Sequence, residues 1–112
     1  MRGGGQARKI GNAAEAYVAV VLRQEHPDWV VLPLQQDVPA DLGALWLLPE
    51  PGWCLYEVKS SKVARRALSA RLTPAEQDAF NLLAPEHYQV IRVLRHPGKG
   101  TLEPFEVLSR GA

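Results

Sequence analysis

The chain is poor in the residues that would mark several common classes of small protein. One cysteine, Cys54, in 112 residues cannot form an internal disulfide, which excludes a disulfide-stapled secreted scaffold and leads us to expect a reducing, intracellular, cytoplasmic setting. No uninterrupted apolar run approaches the roughly 20 residues needed to cross a bilayer, so no membrane association is expected. Met1-Arg2-Gly3-Gly4-Gly5 has the charge of a secretion signal without its apolar centre. The three histidines, His26, His87 and His96, are scattered without metal-ligand spacing and are read as surface side chains. No Ser/His/Asp arrangement can be assembled, and Gly3-Gly4-Gly5 precedes no strand-to-helix unit, which argues against a phosphate-binding loop. A strong charge excess is also missing. With a net charge of +1, any electropositive surface has to come from local clustering.

What remains is the composition of an ordinary globular protein, 46% hydrophobic and 22% charged, of a length that suits one domain. We expect a flexible basic arm over residues 1–10 and a single domain over residues 11–112. The arm is glycine-rich with Arg2, Arg8 and Lys9 interspersed, too polar to bury itself. Asn12 is a good N-cap, and Ala14, Tyr17, Val18, Val21 and Leu22 then recur at the spacing of a helix packed on a core, ending before Pro27. Strands are expected over residues 29–34, 40–48, 53–60 and 88–94, with a fifth at an edge over residues 101–108 because it holds Pro104. Between the third and fourth, Leu72-Thr73-Pro74-Ala75-Glu76 is a helix start, with Thr73 as N-cap, Pro74 at the first helical position and Glu76 completing a capping box. Pro85 ends that helix. Residues 62–71 carry Lys62, Arg65, Arg66 and Arg71 and read either as a solvated face or as a surface for an anionic partner. Cys54 falls mid-strand and reads as a core residue.

The candidate chemistry sits in Tyr56-Glu57-Val58-Lys59-Ser60. Alternation along a strand puts Glu57 and Lys59 on one face, with a carboxylate and an amine in one small volume. Asp41, at the open end of the preceding arm, joins them only in one hairpin register. A four-residue loop pairs Leu48 with Trp53 and turns Asp41 away. A five-residue loop over residues 48–52, or a bulge, brings Asp41 opposite Lys59. In that register Asp41, Gly43, Leu45, Leu55, Glu57 and Lys59 share one face, and Leu42, Ala44, Trp46, Cys54, Tyr56 and Val58 the other. Both faces are largely apolar, as in a central sheet covered on both sides. Glu15 lies beside the apolar stripe of the first helix and can reach over its edge, although Asn12-x-x-Glu15 also reads as a near capping box.

Glu15, Pro39-Ala40-Asp41 and Glu57-x-Lys59, in that order and on those elements, resemble the PD-(D/E)XK nuclease superfamily, with one residue inserted between the proline and the aspartate. The resemblance spans residues 11–94. It implies an α/β fold, a restriction-endonuclease-like αβββαβ core whose central mixed sheet is flanked by helices. It also implies a Mg²⁺-dependent endodeoxyribonuclease, with Mn²⁺ able to substitute, hydrolysing DNA phosphodiester bonds. Asp41 and Glu57 would be the principal metal ligands, joined by the Val58 backbone carbonyl and Glu15. Lys59 would orient and help deprotonate the attacking water, or stabilise the charge that develops. Arg8, Lys9, Lys62, Arg65, Arg66 and Arg71 would contact DNA. In size and order the chain is most similar to the small Holliday-junction resolvases of archaea and phages, which act as homodimers on branched DNA in recombination and repair. Other expectations are a restriction-type or repair nuclease acting on other DNA structures, a non-catalytic DNA-binding module on the same fold, and a protein-interaction domain whose acids are merely caps and surface charges.

Overall fold

A computed structural model describes residues 2–35, 37–62, 71–96, 98, 101–102 and 106–107, with the side chains of residues 2–12, 101 and 106 outside the description. The element order is α1 (Arg2–Glu25), β1 (Val30–Pro33), β2 (Leu42–Trp46), β3 (Gly52–Lys62), α2 (Pro74–Leu82), β4 (Tyr88–His96), β5 (Thr101–Leu102) and β6 (Glu106–Val107). The fold is α/β. Four principal strands form one mixed sheet in the order β1-β2-β3-β4, and the short β5 and β6 both pair with β4. β1, β2 and β3 are antiparallel neighbours, whereas β4 returns parallel to β3 after the crossover that contains α2.

The expected apolar stripe on the first helix is what seats it. Ala14, Val18, Ala19 and Leu22 are buried, and they meet Val31, Leu42, Ala44, Cys54, Tyr56, Val58, Ile91 and Val93 from one face of the sheet. Burial of a side chain the size of Val or Leu stabilises by about 1.5–3 kcal/mol, so this layer dominates the core. At its C-terminal end α1 is tied down by Arg23, whose Nη2 donates to the carbonyl of Val31 at 2.8 Å. On the opposite face α2 lays Ala79 and Phe80, with Leu83 just beyond it, against Tyr88, Val90, Ala40, Leu34 and Leu55. Cys54 is a buried core residue.

Three expectations change. First, α1 starts at Arg2 rather than at an Asn12 cap, so the boundary expected at residue 10 falls inside the helix. The packed turns around Val18 nucleate it, and further N-terminal turns then need no new nucleation, although each glycine there weakens the helix by about 1 kcal/mol. Second, the hairpin loop covers residues 47–51, with Trp46 paired to Gly52. It has five residues, but it is shifted by one at each end, and pairing stops at Leu42 opposite Tyr56, so Asp41 bonds to Tyr56 and Val58 rather than coming opposite Lys59. Third, the sheet is not covered on both sides throughout. α2 packs on the β4 side, and the same face of β1 and β2 is left open, with Val30, Leu32, Leu45 and Trp53 exposed. Among the described residues, no helix is long and apolar enough to cross a membrane.

Candidate functional site

The site is made where two strands part. β2 ends its pairing at Leu42 opposite Tyr56, while β3 continues to Lys62 paired with β4. From Glu57 onward, the β2 side of β3 therefore has no strand partner among the described residues. A backbone donor in that position needs another acceptor, and a buried one left without it would be costly. Asp41 supplies the acceptor: its Oδ2 takes the N–H of Val58 at 2.8 Å. Its own N–H donates to the carbonyl of Tyr56 at 2.8 Å, and Leu34 N–H donates to its carbonyl at 2.9 Å. Leu42 pairs with the same Tyr56, so two successive residues address one residue of β3, the offset of a bulge. Since the N–H and C=O of one residue in a strand point to the same side, the Val58 carbonyl also faces Asp41.

The segment before Asp41 is held from below. Tyr88, fully buried on β4, donates its hydroxyl to the carbonyl of Pro39 at 2.5 Å, and Ala40 is buried beside it. A tyrosine in an apolar strand needs a partner for its hydroxyl once it is buried, and here the partner is the element that carries Asp41. Sequence reasoning treated Tyr88 only as the start of a strand.

Glu57 is buried, at 5% exposure, and Lys59 lies next to it with Nζ 3.2 Å from Glu57 Oε2. Glu15, half-buried on α1, lies within electrostatic reach of Asp41. The structure thus brings together Asp41, Glu57 and Lys59, with Glu15 on the Asp41 side. It also adds a fifth. Glu76, at the start of α2, places Oε1 2.7 Å from Lys59 Nζ while accepting the N–H of Thr73 at 2.9 Å, which closes the expected capping box. The sequence signal was a capping-box glutamate on the first turn after the strand bearing Lys59, but nothing in spacing alone turns it inward.

Asp41, Glu57 and Glu76 crowd around Lys59. Burial, followed by the repulsion of Asp41, pushes Glu57 up to about 8, and Lys59 only partly offsets this. Asp41 is raised by burial despite the Val58 N–H and the neighbouring Glu57 and Lys59. Glu15 is raised by burial and by the Asp41 charge. For Lys59, burial works against the charged form, but the hydrogen bond to Glu76 and the charge of Glu57 outweigh it and the amine is raised. Glu76 is lowered: its partial burial is outweighed by Lys59 and by the Thr73 N–H. Among the described residues, no group of three or more Asp, Glu, His or Cys side chains is placed to hold a metal ion. The donors that face one another are all oxygens, the kind a hard divalent cation takes.

Beside Glu15, a cavity of about 260 Å³ opens between α1 and the sheet, lined by Ala16, Ala19, Arg23, Pro33 and Leu42. Of the cationic residues expected to contact DNA, Lys62 and Arg71 are exposed at the two ends of the segment between β3 and α2. Arg65 and Arg66 lie outside the described residues, as do the side chains of Arg8 and Lys9, which fall on α1. The histidines differ from the expectation of plain surface residues. His26 stacks on Trp29 at 3.7 Å, and His87 stacks on Trp53 at 4.2 Å with Nδ1 2.9 Å from the Trp53 carbonyl. Compared with known protein families, with curated proteins and with solved structures, the chain matches none.

Proposed function

We propose that this protein is a metal-dependent endodeoxyribonuclease of the PD-(D/E)XK type, built on a restriction-endonuclease-like core. The observation that carries the proposal is the meeting of Asp41, Glu57 and Lys59 where β2 leaves the edge of β3, with Glu15 near Asp41 and Asp41 bonded to Val58 N–H. The element order α1-β1-β2-β3-α2-β4 supports it, since the αβββαβ core of that superfamily runs the same way. Asp41, Glu57 and the Val58 carbonyl would hold Mg²⁺ or Mn²⁺, with Glu15 beside them. A bound cation of this kind supplies charge neutralisation on the phosphate and a water that ionises near neutral pH. Lys59 is kept charged by its two acidic neighbours, which suits it to stabilising negative charge that builds on the phosphate rather than to accepting a proton. Water adds to phosphorus, one P–O ester bond breaks, and the departing oxygen takes a proton from solvent.

The partners proposed are DNA, including branched DNA, and a second copy of this chain. Lys62 and Arg71 flank the site-bearing crossover and would contact phosphates. The open face of β1 and β2 exposes Val30, Leu32, Leu45 and Trp53, an apolar surface of the kind a second copy would cover.

The test is a cleavage panel of linear, single-stranded, flapped and four-way DNA with and without Mg²⁺. Cleavage should require the divalent ion and be lost in Asp41→Ala and Lys59→Ala, both of which should remain folded by circular dichroism. Unchanged cleavage in both variants would sink the nuclease. Salt-sensitive DNA binding with no cleavage under any divalent ion would favour a non-catalytic DNA-binding module, each phosphate contact adding about 0.9 to the log-log salt slope on duplex DNA.

A further inference from the structure

Glu76 does more than cap its helix. A capping-box glutamate ordinarily sits at the solvent-exposed start of a helix, where its carboxylate needs only the N–H of the N-cap residue. Glu76 keeps that bond, 2.9 Å from Thr73 N, yet only 12% of its side chain is exposed, and the same Oε1 stands 2.7 Å from Lys59 Nζ. One oxygen therefore joins the first turn of α2 to the lysine in the middle of β3.

The placement needs a reason beyond capping. Glutamine at the third helical position serves a capping box as well as glutamate does, and would not add a fourth acid beside Glu15, Asp41 and Glu57. Crowding like charges is unfavourable, and Lys59 is the cation that offsets it. Of the two carboxylates on Lys59, Glu76 is the nearer, at 2.7 Å against 3.2 Å for Glu57. A flexible four-carbon amine on a strand would otherwise sample many positions. Here the far end of that chain is referenced to a helix that is itself fixed by Phe80, Ala79 and Leu83 packing on Tyr88, Val90 and Leu55. Glu57 is consequently not the only group holding the amine in place, and can turn to another partner without releasing it.

We infer that Glu76 is a positioning residue: through one carboxylate oxygen it clamps Lys59 to the N-terminus of α2, fixing the amine independently of Glu57. The catalytic consequence rests on the nuclease function proposed above. The clamp itself does not.

Two measurements separate the clamp from a simple cap. Four lysines, Lys9, Lys59, Lys62 and Lys99, make the side-chain spectrum of lysine-¹³C-labelled protein easy to assign. In metal-free protein the Lys59 ε-methylene should be ordered, should become as mobile as that of exposed Lys62 in Glu76→Ala, and should stay ordered in Thr73→Ala, which loses the cap alone. On cleaved DNA, Glu76→Gln keeps the capping acceptor and removes the charge. It should lower turnover about 10–100-fold, the usual effect of losing a partner that orients a site residue, with little change in half-saturating DNA. Thr73→Ala should lower the thermal midpoint while leaving turnover within about twofold, a split set by loss of a cap alone. Lys59 as mobile as Lys62 in the wild type would overturn the clamp, as would rate losses in Glu76→Gln and Thr73→Ala that simply track their losses of stability. Should the wild type cleave no DNA, the nuclease proposal falls and the Lys59 spectrum alone decides the clamp.

Discussion

Asp41 shows how one side chain can take over the work of a missing strand. Where β2 leaves β3, the N–H of Val58 would face an empty edge, and a carboxylate from the departing chain occupies it at 2.8 Å. Its position depends in turn on Tyr88, whose hydroxyl holds the Pro39 carbonyl two residues earlier. Tyr88→Phe keeps the ring that fills the core and removes the hydrogen bond, leaving a carbonyl with one fewer donor. We expect a loss of about 1 kcal/mol by urea denaturation, typical of a single buried hydrogen bond. We also expect a fall in cleavage larger than that stability loss explains, because the Asp41 segment is no longer tied to β4. Cleavage unchanged in Tyr88→Phe would show that Asp41 is placed by its own backbone bonds alone. At this scale the sequence identified Glu15, Asp41, Glu57 and Lys59 from residue type and order. Tyr88 and Glu76 escaped it because a tyrosine in a strand and a glutamate in a capping box each have a sufficient local explanation.

Among the elements, the antiparallel half of the sheet behaves differently from the parallel half. β3 and β4 are sandwiched between α1 and α2, whereas β1 and β2 have α1 on one face and an open apolar surface on the other. Directly opposed residues of an antiparallel pair share a face, so Val30, Leu45 and Trp53 form one row across three strands, and Leu32, Gly43 and Leu55 a second. Glu57 follows Leu55 on that face, so a second copy seated there would lie beside the candidate site. Leu45 is 53% exposed, and Leu45→Glu should change monomer stability by no more than about 0.5 kcal/mol. Across a twofold axis it sets like charges near one another. Sedimentation should find a dimer for the wild type at micromolar concentration and a monomer for Leu45→Glu. A wild type that sediments as a monomer throughout would remove the second copy from the proposal. The alternating pattern of β2 and β3 made the two faces legible in advance. Which part of a face is covered was not, because the reach of α2 is set by the crossover between β3 and β4 and not by any residue on β1 or β2.

For the molecule as a whole, the crowded acids tie stability to pH. Glu57 has its proton affinity raised from 4.5 in the unfolded chain to about 8 in the fold. Between those values the folded state binds the proton and the unfolded state does not, so ∂ΔG/∂pH is negative and stability falls as pH rises. The contribution is complete below about 4.5 and lost as the pH passes 8. Asp41 and Glu15 shift in the same direction, while the lowered Glu76 acts oppositely and only near the acid end of the window. Metal-free protein should therefore melt several degrees lower at pH 8 than at pH 5.5 by scanning calorimetry, since about 1 kcal/mol moves the midpoint by 4–8 °C in a domain near this size. Glu57→Gln should flatten that slope. A metal-free midpoint that rises between pH 5.5 and 8 would contradict the placement of Glu57 among the other carboxylates.

By itself the sequence determined the order of the elements from α1 to β4, the packed stripe of α1, the capping box of α2 and the two faces of β3, and it singled out four candidate site residues. These are written in local periodicity and residue chemistry, which act over a few neighbours. Only the tertiary structure decided that Asp41 bonds to Tyr56 and Val58, that Glu76 turns in to Lys59, that Tyr88 supports Pro39, and that α1 continues to Arg2. Each of these depends on where strands separated in sequence come to pair and on which buried polar group then needs a partner. Residue spacing constrains that pairing, but the three-dimensional path of the chain selects it.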